Sequence, residues 1–271
     1  MRWFVPLFLF PFLPGIGPLF ADLQTRWPWY WVDVAYYWAY YGLCAAMLVA
    51  FGVGAWKLPV RECFGRAPTR PEIVGGIQLT VFVGLVAIAT LYALFLPLSL
   101  VAPGFVQWWL IDSPGTVYFD AGSYPLLPNL LSLVATCVLA PALEEMLFRG
   151  IILPRWTHRW GPVSGIIASS ALFGVLHVDP LGAFVFGVAM CALYLRSQSL
   201  ALPMLCHALN NFVAWLWESA YAVMQPEHVY TLEEFRSEWP SASICAAIAV
   251  IWLHFYLKRP QSDVPWKLPV R

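Results

Sequence analysis

Side chains able to take up, release or counterbalance a proton gather in three phrases of the sequence. PALEEMLFRG supplies Glu144, Glu145 and Arg149; SSALFGVLHVDP supplies Phe173 and His177; LCHALNNF supplies His207, Asn210 and Asn211. Residues four apart share one helix face, so Glu145 stacks on Arg149 in the favourable acid-first order, Phe173 lies beside His177, and His207 beside Asn211. Glu144 is turned about 100° from Glu145, so an ion pair between Glu145 and Arg149 leaves Glu144 to face another helix. A carboxylate in low dielectric holds a proton more readily than in water, which suits it to general-base work on a water molecule. Each piece also has a plainer role: a structural lock for Glu145 and Arg149, hydrogen-bonded packing for a histidine, interhelical glue for an asparagine. The conjunction on three successive helices is what favours catalysis.

These groups must be positioned by elements that fold in lipid. Of the 271 residues 61% are hydrophobic, 17% aromatic and only 11% charged, whereas a soluble domain is about 45–50% apolar and about 25% charged. Fifteen Lys and Arg against fifteen Asp and Glu give formal charge zero, which removes the electrostatic case for a nucleic-acid partner. Apolar runs near 3–20, 34–56, 73–99, 125–153, 164–178, 181–195, 199–220 and 241–257 give an all-α, polytopic integral membrane protein of about eight transmembrane helices. The chain divides into motif-free helices at 1–120, a core at 121–225, and an outer loop, last helix and tail at 226–271. Residues 1–21 are expected to be retained as a span, because no small-x-small cleavage site precedes Asp22. Cys44, Cys63, Cys137, Cys191, Cys206 and Cys245 form no CxxC pair, so neither disulfides nor a thiolate metal site is expected.

Orientation follows from the basic residues. With the loop 57–72 in the cytoplasm, twelve Lys and Arg fall inside (Arg2, Lys57, Arg61, Arg66, Arg70, Arg155, Arg159, Arg196, Lys258, Arg259, Lys267, Arg271) and two outside (Arg26, Arg236), while Arg149 lies within a span. Both termini are then cytoplasmic. Trp27, Trp29, Tyr30, Trp31, Trp108 and Trp109 gather outside as an interfacial belt. WKLPVR occurs at 56–61 and again at 266–271, each copy following a span as an interfacial anchor. Segments 164–178 and 181–195 make roughly 22 Å of helix each, short of a bilayer core of roughly 30 Å. A hairpin tip that stops inside the membrane would place His177 at the depth of His207 and within reach of Glu144.

Together the three phrases resemble the signature of the CPBP intramembrane protease family, the CAAX proteases and bacteriocin-processing enzymes also called Abi: EExxxR, then FxxxH, then HxxxN. The match rests on Glu144, Glu145 and Arg149, on Phe173 and His177, and on His207 and Asn211, and it extends over about residues 125–220. The resemblance implies peptide hydrolysis in a cavity open to the cytosol, with Glu144 activating water and His177 assisting. His207 and Asn211 would stabilise the oxyanion, and Glu145 and Arg149 would orient the helix. It implies a lipidated or membrane-tethered protein or peptide as substrate, and the cell (inner) membrane as location for a prokaryotic member. No cofactor is favoured; zinc held by Glu144, His177 and His207 is the alternative, since two His and a carboxylate with an open position suit zinc. Two other classes could use the same groups: a noncatalytic partner in bacteriocin immunity or protein processing, and a transporter or proton-coupled channel. Intact motifs speak against the first, and the lack of repeated spans against the second.

Overall fold

The computed structural model describes residues 16–55, 60–113, 115–120, 122–226 and 228–258. The expected first span at 3–20, most of both WKLPVR copies, and Arg2, Lys57, Arg259, Lys267 and Arg271 lie largely or wholly outside the described residues. Every regular element among those described is a helix: α1 Ile16–Arg26, α2 Trp29–Met47, α3 Val60–Phe64, α4 Arg70–Val101, α5 Pro103–Val106, α6 Leu126–Val134, α7 Ala140–Glu145, α8 Leu153–Trp160, α9 Pro162–Val175, α10 Pro180–Ser197, α11 Ala201–Met224, α12 Leu232–Ser237 and α13 Trp239–Leu257. Wide π turns extend α2 over Leu48–Ala55 and α5 over Gln107–Ile111, and they join α6 to α7 (Ala135–Leu139) and α7 to α8 (Met146–Ile152). Five helical stretches are long and apolar enough to cross a membrane, namely Trp29–Ala50, Arg70–Val101, Leu126–Trp160, Pro180–Ser197 and Trp239–Tyr256, and α9 is a shorter apolar helix. The protein is an all-α, polytopic membrane protein.

Local chemistry sets the helix ends. Thr69 opens α4 in a capping box, its backbone N and Oγ1 donating to Glu72 Oε2 at 2.8 and 2.9 Å. Asp179 caps α10 by accepting from Gly182 N at 3.1 Å. Gly161, at φ +84°, separates α8 from α9, and Pro162 then starts the new helix.

Two compact units interleave along the chain. The first contains Met1–Pro59, Gly115–Glu144 and Asn211–Glu227. Here α2 packs on α6 and the π turns that follow, and Trp38 Nε1 donates to Leu131 O at 3.3 Å. Asp33, Tyr36, Tyr37, Tyr40, Tyr41 and Cys44 are half-buried, whereas Ala35, Ala39, Gly42 and Leu43 are exposed. Such an arrangement, polar side inward and apolar side out, is what a lipid solvent selects.

The second unit contains Val60–Pro114, Glu145–Asn210 and His228–Arg271. Its long α4 runs against α10 and α13, and α9 packs against both α8 and α10. Small residues let the backbones approach: a Cβ on Gly187 of α10 would stand 3.0 Å from Ser170 Cβ on α9, the kind of contact that replaces hydrophobic driving force inside a membrane. Leu153, Cys191, Tyr194, Leu195 and Leu200 form its apolar core. Arg66 N donates to Gln198 O at 3.2 Å and Leu200 N to Phe64 O at 3.0 Å, tying the turn after α3 to the turn before α11.

Candidate active site

In the second unit, Glu145 ends α7 and Arg149 follows on the π turns. Their side chains are 0% and 1% exposed, and Arg149 Nη1 donates to Glu145 Oε1 at 2.9 Å. The spacing of four residues thus makes the ion pair expected from it. Two charges out of water are tolerable only when paired and further bonded, and the guanidinium has that support. Its Nη2 donates to Gly187 O on α10 at 3.0 Å, and its carbon stands 4.9 Å from the Phe173 ring centroid and 5.9 Å from that of Phe148.

The same Glu145 oxygen meets the imidazole of α11: His207 Nδ1 lies 2.9 Å from Glu145 Oε1. A carboxylate can only accept, so Nδ1 carries the proton. Nε2 is then the ring's other face, an acceptor when the ring is neutral and a donor when it is charged. Phe186 and Phe173 press on the ring edge-on, with centroids at 4.9 and 5.9 Å, which fixes its plane.

Phe173 is the hub of the cluster. It is buried in α9, and its ring lies 4.3 Å from that of His177. His177 stands in the turn just after α9, where Phe173 O accepts from Leu176 N at 3.3 Å and has a second lone pair to offer. Its Nδ1 is 2.7 Å from Phe173 O. That carbonyl accepts too, so the proton again sits on Nδ1 and Nε2 is directed elsewhere. Both histidines are therefore held by the same ring nitrogen.

The first unit holds the other two candidates. Asn211 Nδ2 donates to Thr136 O at 2.9 Å. Thr136 belongs to the π turns Ala135–Leu139, where the change of helical register alters which carbonyls find backbone partners. Glu144, next to Glu145 but in this unit, lies near enough to Tyr40, Tyr41 and Cys44 of α2 to act on them electrostatically. Among the described residues, no three His, Cys, Asp or Glu side chains form a set that could hold a metal ion.

Sequence reasoning paired Glu145 with Arg149 and missed that one carboxylate oxygen serves both Arg149 and His207. It also missed Phe186 and Gly187, which carry no signal on an apolar helix, and the tyrosines of α2 that border Glu144. All seven motif residues fall within 126–213, the segment matched by a family model described as Rce1-like, type II CAAX prenyl endopeptidase Rce1-like. No curated protein and no solved structure matches the chain.

Proposed function

We propose, on the premise that the chain belongs through residues 126–213 to the Rce1-like type II CAAX prenyl endopeptidases, that it hydrolyses peptide bonds of lipidated or membrane-tethered proteins by a glutamate-activated water. The observation that carries this reading is the buried set Arg149, Glu145 and His207 joined at one carboxylate oxygen. So much fixed charge in an apolar unit is costly, and a lock alone would need only the pair.

Glu144 takes a proton from water as the water oxygen bonds to the scissile carbonyl carbon. The carbonyl oxygen becomes an oxyanion, and His207 and the Asn211 amide are the donors assigned to stabilise it. The proton taken up by Glu144 is handed to His177 Nε2 and from there to the amide nitrogen as the C–N bond breaks; the carboxylic acid formed gives its own proton to the released amine, which leaves a carboxylate and an ammonium with Glu144 and His177 restored. With Nδ1 bound to Glu145, His207 donates to the oxyanion only as a charged ring, and Glu145 is the countercharge that ring needs. Glu145 and Arg149 act through His207 as positioning residues. Both termini and the loop 57–72 lie in the cytoplasm on this reading, and substrate enters from that side.

A zinc-dependent form is the second reading. Histidines whose Nδ1 is held by a carboxylate or a carbonyl present Nε2 as metal ligands usually do, and this orientation favours it. In that form a zinc ion would polarise the water, and Glu144, His177 and His207 would have to be drawn together to hold it, a set they do not form in this structure. Cleavage of lipidated and unlipidated membrane-tethered reporter peptides by purified protein in liposomes, with and without a strong zinc chelator, tests both. Cleavage of the lipidated reporters that survives chelation is expected. Loss on chelation, restored by zinc, would establish the metal form; no cleavage of any reporter would overturn the protease reading.

A further inference from the structure

The first unit contains a second acid with a built environment. Glu218 lies on α11, seven residues after Asn211, and so about two turns or roughly 10 Å further along the same face. Its Oε1 accepts from Thr116 N at 2.8 Å and Val117 N at 3.1 Å, and its Oε2 accepts from Thr116 Oγ1 at 2.7 Å. A Cβ on Gly115 would collide with Glu218 Oε1, so a side chain at that position would push the carboxylate away from the loop.

The loop is in turn fastened to α6. Ser132 Oγ donates to Thr116 O. Asn129, fully buried, accepts from Tyr118 N at 2.7 Å and donates to Tyr118 O at 2.9 Å. Tyr124 OH and Ser219 Oγ are 3.3 Å apart, a further link from the loop to α11. Helix α11 is thus tied to the α6 stretch at two levels: directly by Asn211 on Thr136 O, and two turns on by Glu218 through residues 116–118.

One hydrogen bond leaves a helix able to roll about it; two on one face, roughly 10 Å apart, fix both rotation and depth. We infer that Glu218 is a positioning residue for the reaction, clamping the loop 115–118 so that α11 presents Asn211 in register with the helix bearing Glu144. This rests on the protease reading for its catalytic consequence, but the clamp itself does not. Thr116, Gly115 and Glu218 lie outside the matched segment 126–213.

The test compares Glu218→Ala, Glu218→Gln and Gly115→Ala in lipid nanodiscs. Glutamine can still accept both backbone N–H groups and donate to Thr116 Oγ1, whereas alanine cannot; Gly115→Ala attacks the clamp from the loop side. In protein carrying 15N-asparagine, the Asn211 side-chain amide signal, assigned by its loss in Asn211→Gln, should move in Glu218→Ala and Gly115→Ala and stay in place in Glu218→Gln. On a cleaved reporter, the first two variants should lose about tenfold in kcat with KM within about twofold, and Glu218→Gln should match wild type. An unmoved Asn211 signal in Glu218→Ala would overturn the clamp, as would a Glu218→Gln variant as impaired as the alanine, which would make charge the operative property. If wild type cleaves nothing, the protease reading fails by itself and the Asn211 signal still decides the clamp. If Glu218→Ala does not fold, Gly115→Ala carries the comparison.

Discussion

Glu144 and Glu145 are chain neighbours with different work to do. Glu145 is fully buried and accepts from Arg149 and His207 through a single oxygen. Glutamine at that position keeps an oxygen able to accept both hydrogen bonds but leaves the buried Arg149 guanidinium without its countercharge, and Arg149→Leu leaves the carboxylate in the same state. Each variant should cost about 3–5 kcal/mol, visible as a drop in the thermal unfolding midpoint in detergent, and the double variant Glu145→Gln/Arg149→Leu should lose clearly less than the sum of the two. Additive losses would show that the ion pair does not carry the stability assigned to it.

At the scale of elements, the α9–α10 hairpin holds the cluster because small residues bring the helices together where Arg149 needs an acceptor. Gly187 both touches Ser170 and offers its carbonyl to Arg149. Gly187→Val has to push α10 away from α9, at about 1–3 kcal/mol, and should lower activity along with the unfolding midpoint. A variant with an unchanged midpoint would mean that the helices can part without disturbing the site. The four-residue spacings of Glu145 with Arg149 and of Phe173 with His177 were legible in the sequence because helical period alone determines them. Their lids were not. Phe186 and Gly187 sit on a helix that is apolar all round, so periodicity says nothing about which side faces inward. The π turns flanking the two acids have no marking residue. Glu218 falls inside the apolar run 199–220 and was not singled out there; its partners are mostly backbone N–H groups, which no side-chain pattern announces.

Across the whole molecule, six of the expected apolar runs correspond to helices that the structure describes: 34–56, 73–99, 164–178, 181–195, 199–220 and 241–257 became α2 with its π extension, α4, α9, α10, α11 and α13. The run 125–153 became one helical stretch, Leu126–Trp160, longer than expected because Pro154 falls in the first turn of α8, where a proline is tolerated. Orientation rests on the distribution of Lys and Arg. In a cysteine-free background that retains activity, Ser123→Cys should react with a membrane-impermeant thiol reagent added to intact cells, and Arg159→Cys only after lysis; the reverse pattern would invert the topology and with it the side of substrate entry. The central claim is that Glu144 activates the water, and its most direct measurement is the cleavage rate of a lipidated reporter by Glu144→Gln against wild type at matched thermal stability. A loss of at least about a hundredfold is the expected result; a Glu144→Gln variant cleaving at the wild-type rate would contradict it.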